Sequence, residues 1–347
     1  MRLNAHHLRA RVAALPLAAL FALGACSSDK VLVADEPIEG VITVDASTQW
    51  AYVSLDNQSA VTPTPSARLS AAWDIAFNAT NVTLNGGEAG PGGITAACIC
   101  QNADATNDEV LAMTAESELA DFEAVTSVPE GLTWVSETMT PAIDGWFTGT
   151  GAAAVANSDQ TYLVRLSDSL GYAKLRVQSI VSPTATSAGT VTLEYALQES
   201  AEAALGTVQT MELDVASAGV VSVDLDGGTL TDDESAWDLR LEGFTIRVNG
   251  GVSGPGKGGA AEVATTFAET TTAVTQANAY RTDVYAGIFG TNRYYRYNIL
   301  GDHRISPTFD VYLVRRGTAV FKVQILDYYS ATGDSRRISF RYRQIAE

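Results

Sequence analysis

The sequence predicts an all-β protein with two tandem, duplicated β domains that each carry a long glycine-rich loop. Three observations support this fold class. Short runs of β-branched and aromatic residues alternate with polar ones, Asn-Gly-Gly and Gly-Pro-Gly turn signals separate the runs, and one ordered set of motifs occurs twice. The chain has 347 residues, of which 46% are hydrophobic. This length and composition suit two domains with separate apolar cores.

The runs that predict strands are clearest at residues 161–166, 319–326 and 337–343. The first two are rich in β-branched and aromatic side chains, which pack well on a pleated surface. The last alternates regularly, so its isoleucine, phenylalanine and tyrosine share one face while its arginines share the other. Residues 107–125 form the one segment whose pattern indicates helix.

The internal repeat is the strongest organisational signal. Residues 73–92 and 237–256 both contain Trp-Asp, then Asn-Gly-Gly 12 positions later, then Gly-Pro-Gly, at a constant offset of 164. Tyr-Leu-Val-Arg follows at residues 162–165 and again at 312–315, now at an offset of 150. A period of this size indicates two domains rather than a solenoid of short repeats.

The repeat predicts domain boundaries along the chain. We expect a first β domain at residues 41–198, a linker at 199–205 and a second β domain at 206–347. Residues 26–40 are expected to form a short tether ahead of the first domain.

The N-terminal residues 1–25 have the features of a lipoprotein signal peptide. Three arginines precede an apolar stretch at residues 12–25, which is too short to span a bilayer core of about 30 Å. The stretch ends in a Leu-Gly-Ala-Cys sequence that resembles a lipobox, which implies lipidation of Cys26 and residence at the bacterial outer membrane or cell surface. Ser27 is compatible with outer-membrane sorting. The alternative is an ordinary signal peptide followed by an incidental cysteine.

Composition excludes several classes of function. With 40 acids against 22 bases, the net charge is −18, which opposes nucleic-acid binding. Removal of the signal peptide leaves His303 as the one histidine, and the chain contains no G-x-S-x-G, H-E-x-x-H or P-loop pattern. We therefore expect no enzymatic activity.

Taken in order, the repeated motifs resemble the HmuY family of haem-binding lipoproteins. The resemblance implies an all-β fold and a protein that is held at the membrane by a lipid anchor. It also implies that the protein captures haem, its cofactor and partner, for iron acquisition. It also implies an outer-membrane haem transporter or a host haemoprotein as a further partner, and no metal beyond haem iron. The alternative is a surface β module for protein–protein or cell-envelope interaction that has lost haem binding.

Haem iron takes one or two axial donors from His, Met, Tyr or Cys side chains. The mature chain cannot supply the two histidines of a bis-histidine site, so other donors must be considered. An arginine beside tyrosines could pair with a haem propionate while a ring stacks on the porphyrin or a phenolate binds iron. The candidate haem-binding residues are His303, Tyr295, Tyr297, Arg296, Met139 and Met113.

Each candidate also has a plain structural interpretation. His303 suits a solvated loop beside Asp302, and methionines commonly fill core gaps. The run at residues 293–297 also suits an amphipathic surface strand, with Arg293, Tyr295 and Tyr297 on one face.

Two further motifs invite metal chemistry but favour structural roles. Cys98 and Cys100 are too few for a zinc site and suit a local disulfide in an oxidising compartment, with a redox role as the alternative. The acidic stretch around Asp224 and Asp226 lacks the spacing of an EF-hand and predicts an acidic hairpin turn.

Overall fold

Antiparallel β-sheets organise residues 38–347, the part of the chain that the computed structural model describes. The helices in this part are short, so the all-β prediction is confirmed. No helix among these residues is long and apolar enough to cross a membrane. The predicted signal peptide 1–25, the lipidation site Cys26 and the tether up to residue 37 lie outside the described residues.

The first sequence copy supplies twelve strands. They are β1 (Glu39–Asp45), β2 (Ala51–Ser54), β3 (Ser59–Val61), β4 (Ile75–Asn78), β5 (Asn81–Leu84), β6 (Thr95–Cys98), β7 (Thr138–Thr140), β8 (Phe147–Thr148), β9 (Val155–Ala156), β10 (Thr161–Arg165), β11 (Tyr172–Val181) and β12 (Thr190–Gln198). Its helices are α1 (Asn107–Ala112) and α2 (Leu119–Ala124), with 3-10 turns at Ala67–Leu69 and Gly151–Ala153. Both helices fall within residues 107–125, where the sequence predicts helix.

The second copy begins with the next strand. Its strands are β13 (Gln209–Asp214), β14 (Val220–Asp224), β15 (Thr229–Leu230), β16 (Leu239–Glu242), β17 (Thr245–Val248), β18 (Gly259–Val263), β19 (Val284–Ala286), β20 (Tyr295–Tyr297), β21 (Ile305–Pro307), β22 (Val311–Arg316), β23 (Ala319–Tyr329) and β24 (Ser335–Ile345). Its helices are α3 (Val215–Ala218) and α4 (Ile288–Thr291), with a 3-10 turn at Ala277–Ala279.

Each five-stranded sheet combines strands from both sequence copies. One has the order β1-β24-β23-β22-β6, with outer strands from the first copy and central strands from the second. The other has the order β13-β12-β11-β10-β18, in which the copies exchange these roles. Residues 199–205, predicted as a linker, lie in the connection between β12 and β13, which are neighbours in this second sheet. The sequence copies and the structural lobes are therefore different divisions of the chain.

Two lobes follow from this exchange. The central lobe (residues 142–280) is continuous in sequence, whereas the terminal lobe combines residues 38–137 with residues 288–347. Each lobe packs its five-stranded sheet against a four-stranded sheet, β3-β2-β4-β5 or β15-β14-β16-β17. The chain crosses between the lobes at β7 and again at β19, and these two strands pair with each other.

Each lobe has its own apolar core. In the terminal lobe, Phe77 of the four-stranded sheet meets Phe340 of the five-stranded sheet, with ring centroids 5.2 Å apart. The predicted apolar face of residues 337–343 lies in this core, where Ile338, Phe340 and Tyr342 are buried. Burial of these side chains is the main source of stability for both lobes.

One buried lysine holds a covering segment against each five-stranded sheet. Lys322 on β23 donates to the Phe122 carbonyl at 2.6 Å, and Lys174 on β11 donates to the Phe267 and Thr270 carbonyls at 2.8 and 3.0 Å. Burial lowers the pKa of both lysines. Lys174 lies opposite Leu163 and Lys322 lies opposite Leu313 in the two Tyr-Leu-Val-Arg strand pairs, so the two lysines occupy equivalent positions of the repeat.

We expect an engineered disulfide to distinguish exchanged from unexchanged strand pairing. Thr43 on β1 lies opposite Ser339 on β24, and their hydroxyl oxygens are 2.7 Å apart. The double variant Thr43→Cys/Ser339→Cys should therefore oxidise to an intramolecular disulfide, detected by non-reducing peptide mapping.

The matched control uses the equivalent position of the first copy. Pairing within that copy would place Thr43 opposite Thr192, so Thr43→Cys/Thr192→Cys should stay unlinked. A disulfide in the control and none in the first variant would contradict the strand exchange.

Candidate functional site

The repeated Asn-Gly-Gly motif holds the glycine-rich loop of each copy. Asn249 donates from Nδ2 to the Trp237 carbonyl at 2.7 Å, and its Oδ1 accepts from the Gly256 amide at 2.9 Å. Asn85 makes equivalent bonds in the first copy. A side chain at Gly254 would come within 2.1 Å of Asn249 Oδ1, so only glycine fits there. Trp-Asp, Asn-Gly-Gly and Gly-Pro-Gly thus form one hydrogen-bonded unit.

The glycine-rich loop of the central lobe forms one wall of a cleft. Residues 251–256 face the terminal lobe across a cavity of about 780 Å³, and β19 lines the cavity between them. A smaller cavity of about 240 Å³ adjoins it and shares Trp50, Thr83 and Tyr285 with it. The cleft therefore lies where the chain crosses between lobes.

Aromatic side chains lie among the mainly polar residues on the terminal-lobe side of the cleft. Trp50, Tyr52 and Tyr285 pack around the small core that contains Trp73. Tyr295 lies at the other end and packs edge-on against the buried Tyr294, with ring centroids 4.9 Å apart. These rings offer flat apolar surfaces to a planar ligand.

Both basic and acidic side chains line the cleft. Arg293 is exposed at the wall of the larger cavity and Arg68 at the wall of the smaller one, and each can pair with a carboxylate of a ligand. Asp283 is buried in the floor, where it accepts hydrogen bonds from the amides of Ala142 and Val248 at 2.7 and 3.0 Å. Burial raises the pKa of Asp283.

Two of the phenols in the cleft stay protonated at neutral pH. Burial raises the pKa of Tyr52 to about 12 and also raises the pKa of Tyr285. These two rings therefore suit stacking rather than iron binding as phenolates.

Two of the sequence-predicted candidates lie together on an exposed hairpin. Strands β20 and β21 form this hairpin, and the Tyr297 hydroxyl lies 2.8 Å from His303 Nδ1 near its tip. Tyr295 is on the same strand but lines the cleft, as Arg293 does. The sequence pattern predicts one strand face for Arg293, Tyr295 and Tyr297, and of these three Tyr297 does not line the cavity.

The other candidates make contacts within the protein. Arg296 donates from Nη1 to Asn107 Oδ1 at 2.9 Å and from Nη2 to the Ala105 carbonyl, so it holds the start of α1. Met139 lies on β7, where its sulfur accepts from Arg247 Nη1 at 3.1 Å. Met113 caps the C-terminal end of α1. The structure does not bring either methionine to the cavity lining.

The cleft also contains residues that the sequence pattern did not indicate. They are Trp50, Tyr52, Arg68 and Tyr285. Trp50 and Tyr52 alternate at the start of β2, which was a usable signal for one aromatic face. Arg68 and Tyr285 gave no such signal, because tertiary contacts alone bring them to the cleft.

The two other motifs adopt local structures. Cys98 and Cys100 form a disulfide with Cα atoms 5.1 Å apart. Residues 224–228 form the predicted hairpin turn between β14 and β15, and carboxylate oxygens of Asp224, Asp226 and Asp238 lie within 4.8 Å of one another. Burial and the neighbouring Asp224 raise the pKa of Asp226 to about 6.

Comparison with known proteins gives one family. A family model described as HmuY protein matches residues 46–195 and 213–342. No curated protein matches the chain significantly.

Three solved structures are similar to the chain at low identity. The apo HmuY analog of Tannerella forsythia is 11% identical with a TM-score of 0.33, over 90% of this chain and 98% of that one. A putative HmuY-like heme binding protein from Bacteroides vulgatus is 10% identical with a TM-score of 0.34, over 88% and 91%. A putative lipoprotein from Bacteroides fragilis is 12% identical with a TM-score of 0.33, over 89% and 91%.

A buried carboxyl beside the crossover makes stability depend on pH. Glu137 precedes β7, is almost fully buried, and accepts from the Leu84 amide at 3.0 Å, while its other oxygen lacks a partner within the described residues. Burial raises its pKa to about 7. The folded state therefore holds this proton more tightly than the unfolded state does, and stability falls as pH rises from about 4.5 to 7.

We expect the Glu137→Gln substitution to remove this loss of stability at rising pH. At pH 8 the variant should exceed the wild type in free energy of unfolding by up to about 3 kcal/mol, and at pH 4 the two should agree. Urea unfolding at both pH values measures the difference, with Glu130→Gln as the control at an exposed site. The assignment would be contradicted if Glu137→Gln lost as much unfolding free energy between pH 4 and pH 8 as the wild type does.

Proposed function

The chain belongs to the HmuY family, as its repeated motifs predicted, and from this membership we propose that it binds haem non-covalently in the cleft between its lobes. We further propose that it is anchored through a lipid on Cys26 at the bacterial outer membrane or cell surface. There it would serve haem and iron acquisition, with an outer-membrane haem transporter or a host haemoprotein as partner.

The observation that supports the proposal most strongly is the cleft itself. Its volume of about 780 Å³ lies within the usual range for small-molecule and cofactor sites. Trp50, Tyr285 and Tyr295 give it aromatic surfaces of the kind that stack on a flat macrocycle, and Tyr52 lines the smaller adjoining cavity. Because the walls come from both lobes, a planar ligand would contact both at once.

The polar lining is suited to the carboxylates of haem. Arg68 and Arg293 would pair with the two propionates, and an arginine fork can hold a carboxylate through two hydrogen bonds. Haem is anionic at its propionates, so these contacts would also orient the ring in the cleft.

The side chains that are available to bind haem iron do not include a pair of histidines. Residues 38–347 contain one histidine, and Cys98 and Cys100 are joined in a disulfide, so thiolate ligation is not available from them. Neither methionine of the sequence prediction lines the cavity. Haem would therefore be held mainly by stacking and propionate contacts, with oxygen donors as the available iron ligands.

We expect purified protein (residues 27–347) to bind haemin at micromolar concentration, seen as a sharpened Soret band. Trp50→Ala should raise the dissociation constant about tenfold, because it removes one stacking surface worth about 1.4 kcal/mol. Trp134→Ala is the control, since Trp134 stacks under Arg315 outside the cleft.

An unchanged haemin spectrum would contradict the proposal. It would favour the surface module for protein–protein or cell-envelope interaction. Equal weakening by Trp50→Ala and Trp134→Ala would contradict the cleft as the site.

A further inference from the structure

The terminal-lobe wall of the larger cavity carries amide side chains that the protein does not use for its own structure. Gln49 precedes β2, and Asn78 and Asn81 pair with each other at the turn between β4 and β5. Within the part of the chain that the structure describes, no group bonds to these three amide side chains. Asn85, by contrast, uses its amide to hold the glycine-rich loop of its own copy. Each of the three amides therefore offers donors and an acceptor to a ligand in the cavity.

The equivalent turn of the second copy shows that the fold does not require amides at these positions. At the repeat offset of 164, residues 78–81 correspond to residues 242–245. Glu242 forms an ion pair with Arg247 at 3.0 Å, and Phe244 packs against the apolar core of the central lobe. That turn is tied into its own lobe, whereas the turn of the first copy lines the cavity. The amides of the first copy thus point to a ligand rather than to a need of the fold.

Hydroxyl groups complete this wall. Thr48 and Thr80 line the larger cavity, and Thr83 lines both cavities. Thr83 is 4% exposed, and its Oγ1 has no hydrogen-bond partner among the described residues. A buried hydroxyl without a partner costs free energy, so a ligand hydroxyl that bonds to Thr83 Oγ1 would recover that cost.

Aromatic rings lie beside these polar groups. Trp50 follows Gln49 directly in the chain, and its half-buried side chain lines both cavities. Tyr285 also lines both, and Tyr295 lines the larger one. A pyranose ring presents C–H bonds on its faces, which pack on an aromatic ring, and hydroxyls around its edge, which bond to amides and hydroxyls. The wall offers both kinds of contact side by side.

Charge and volume limit the kind of ligand. Among the described residues, Asp283 and Arg293 are the charged ones that line the larger cavity. The buried Asp283 carboxylate already accepts from two backbone amides, so most of the lining that a ligand meets is neutral. A cavity of about 150 Å³ holds the six heavy atoms of benzene, so one of about 780 Å³ has room for about two or three hexose rings.

We propose that the larger cavity binds a neutral oligosaccharide of two or three hexose units. One ring would stack on Trp50, while Gln49, Asn78 and Asn81 bond to its hydroxyls. Binding is non-covalent, and no bond of the sugar is broken. The inference goes beyond the proposed haem binding, and the two ligands would compete because both would stack on Trp50.

Isothermal titration calorimetry with the full mature chain (residues 27–347) tests the proposal. The probes are cellotriose and maltotriose, which differ in the linkage of their glucose units, and sorbitol, which carries similar hydroxyls without a ring. We expect at least one trisaccharide to bind with a dissociation constant of about 1 mM or lower, and sorbitol to give no heat of binding. A saturating concentration of the bound trisaccharide should raise the apparent dissociation constant of haemin.

Substitutions separate the two ligands. Asn81→Ala should weaken trisaccharide binding about fivefold, because it removes one amide, and should change haemin binding by less than about twofold. Arg293→Gln should do the reverse, because it removes a partner of a haem propionate and no contact of the neutral sugar. Asn278→Ala is the matched control, since Asn278 is an exposed amide of the central lobe outside both cavities.

The outcomes distinguish the inference from the proposed function. Haemin binding without binding of either trisaccharide would overturn the inference and leave the proposed function in place. Trisaccharide binding without haemin binding would support the inference and contradict the proposed function. The inference would also be overturned if sorbitol bound as tightly as the trisaccharides, if Asn81→Ala and Asn278→Ala weakened binding equally, or if bound trisaccharide left haemin affinity unchanged.

Discussion

The pairing of strands from different sequence copies is the constraint on which the rest of this structure depends. Each five-stranded sheet is complete only when β1 and β6, or β13 and β18, flank the three central strands of the other copy. The hydrogen bonds of both ladders therefore require the chain to cross between lobes twice. The two crossings, β7 and β19, pair with each other and connect the lobes.

The position of the cleft follows from those crossings. The glycine-rich loop of the central lobe and the aromatic strand β2 of the terminal lobe face each other beside β19. Asn249 holds the loop, and Glu137 is buried at the start of the other crossing. A ligand in the cleft would thus contact elements from both lobes, and its binding would be coupled to their relative positions.

The repeat is visible in the sequence itself. The all-β class and the strands within each copy could be predicted, because alternation and turn residues are local signals. The sequence could not predict which copy supplies each neighbouring strand. Thr192 and Ser339 occupy matching positions, so either could lie opposite Thr43 by local pattern alone. The alternation at residues 293–297 placed Arg293 and Tyr295 together, and both line the cleft. Arg68 and Tyr285 required the tertiary structure, since distant segments bring them there.

Hydrogen–deuterium exchange with and without haemin tests the central claim, that one haem site is built from both lobes at the crossing. The account predicts slower exchange on haemin addition in two separate segments, residues 250–256 of the central lobe and residues 293–297 of the terminal lobe. Exchange at the acidic turn, residues 224–228, should stay unchanged. Slower exchange in one lobe alone, or none in either segment at saturating haemin, would contradict the account.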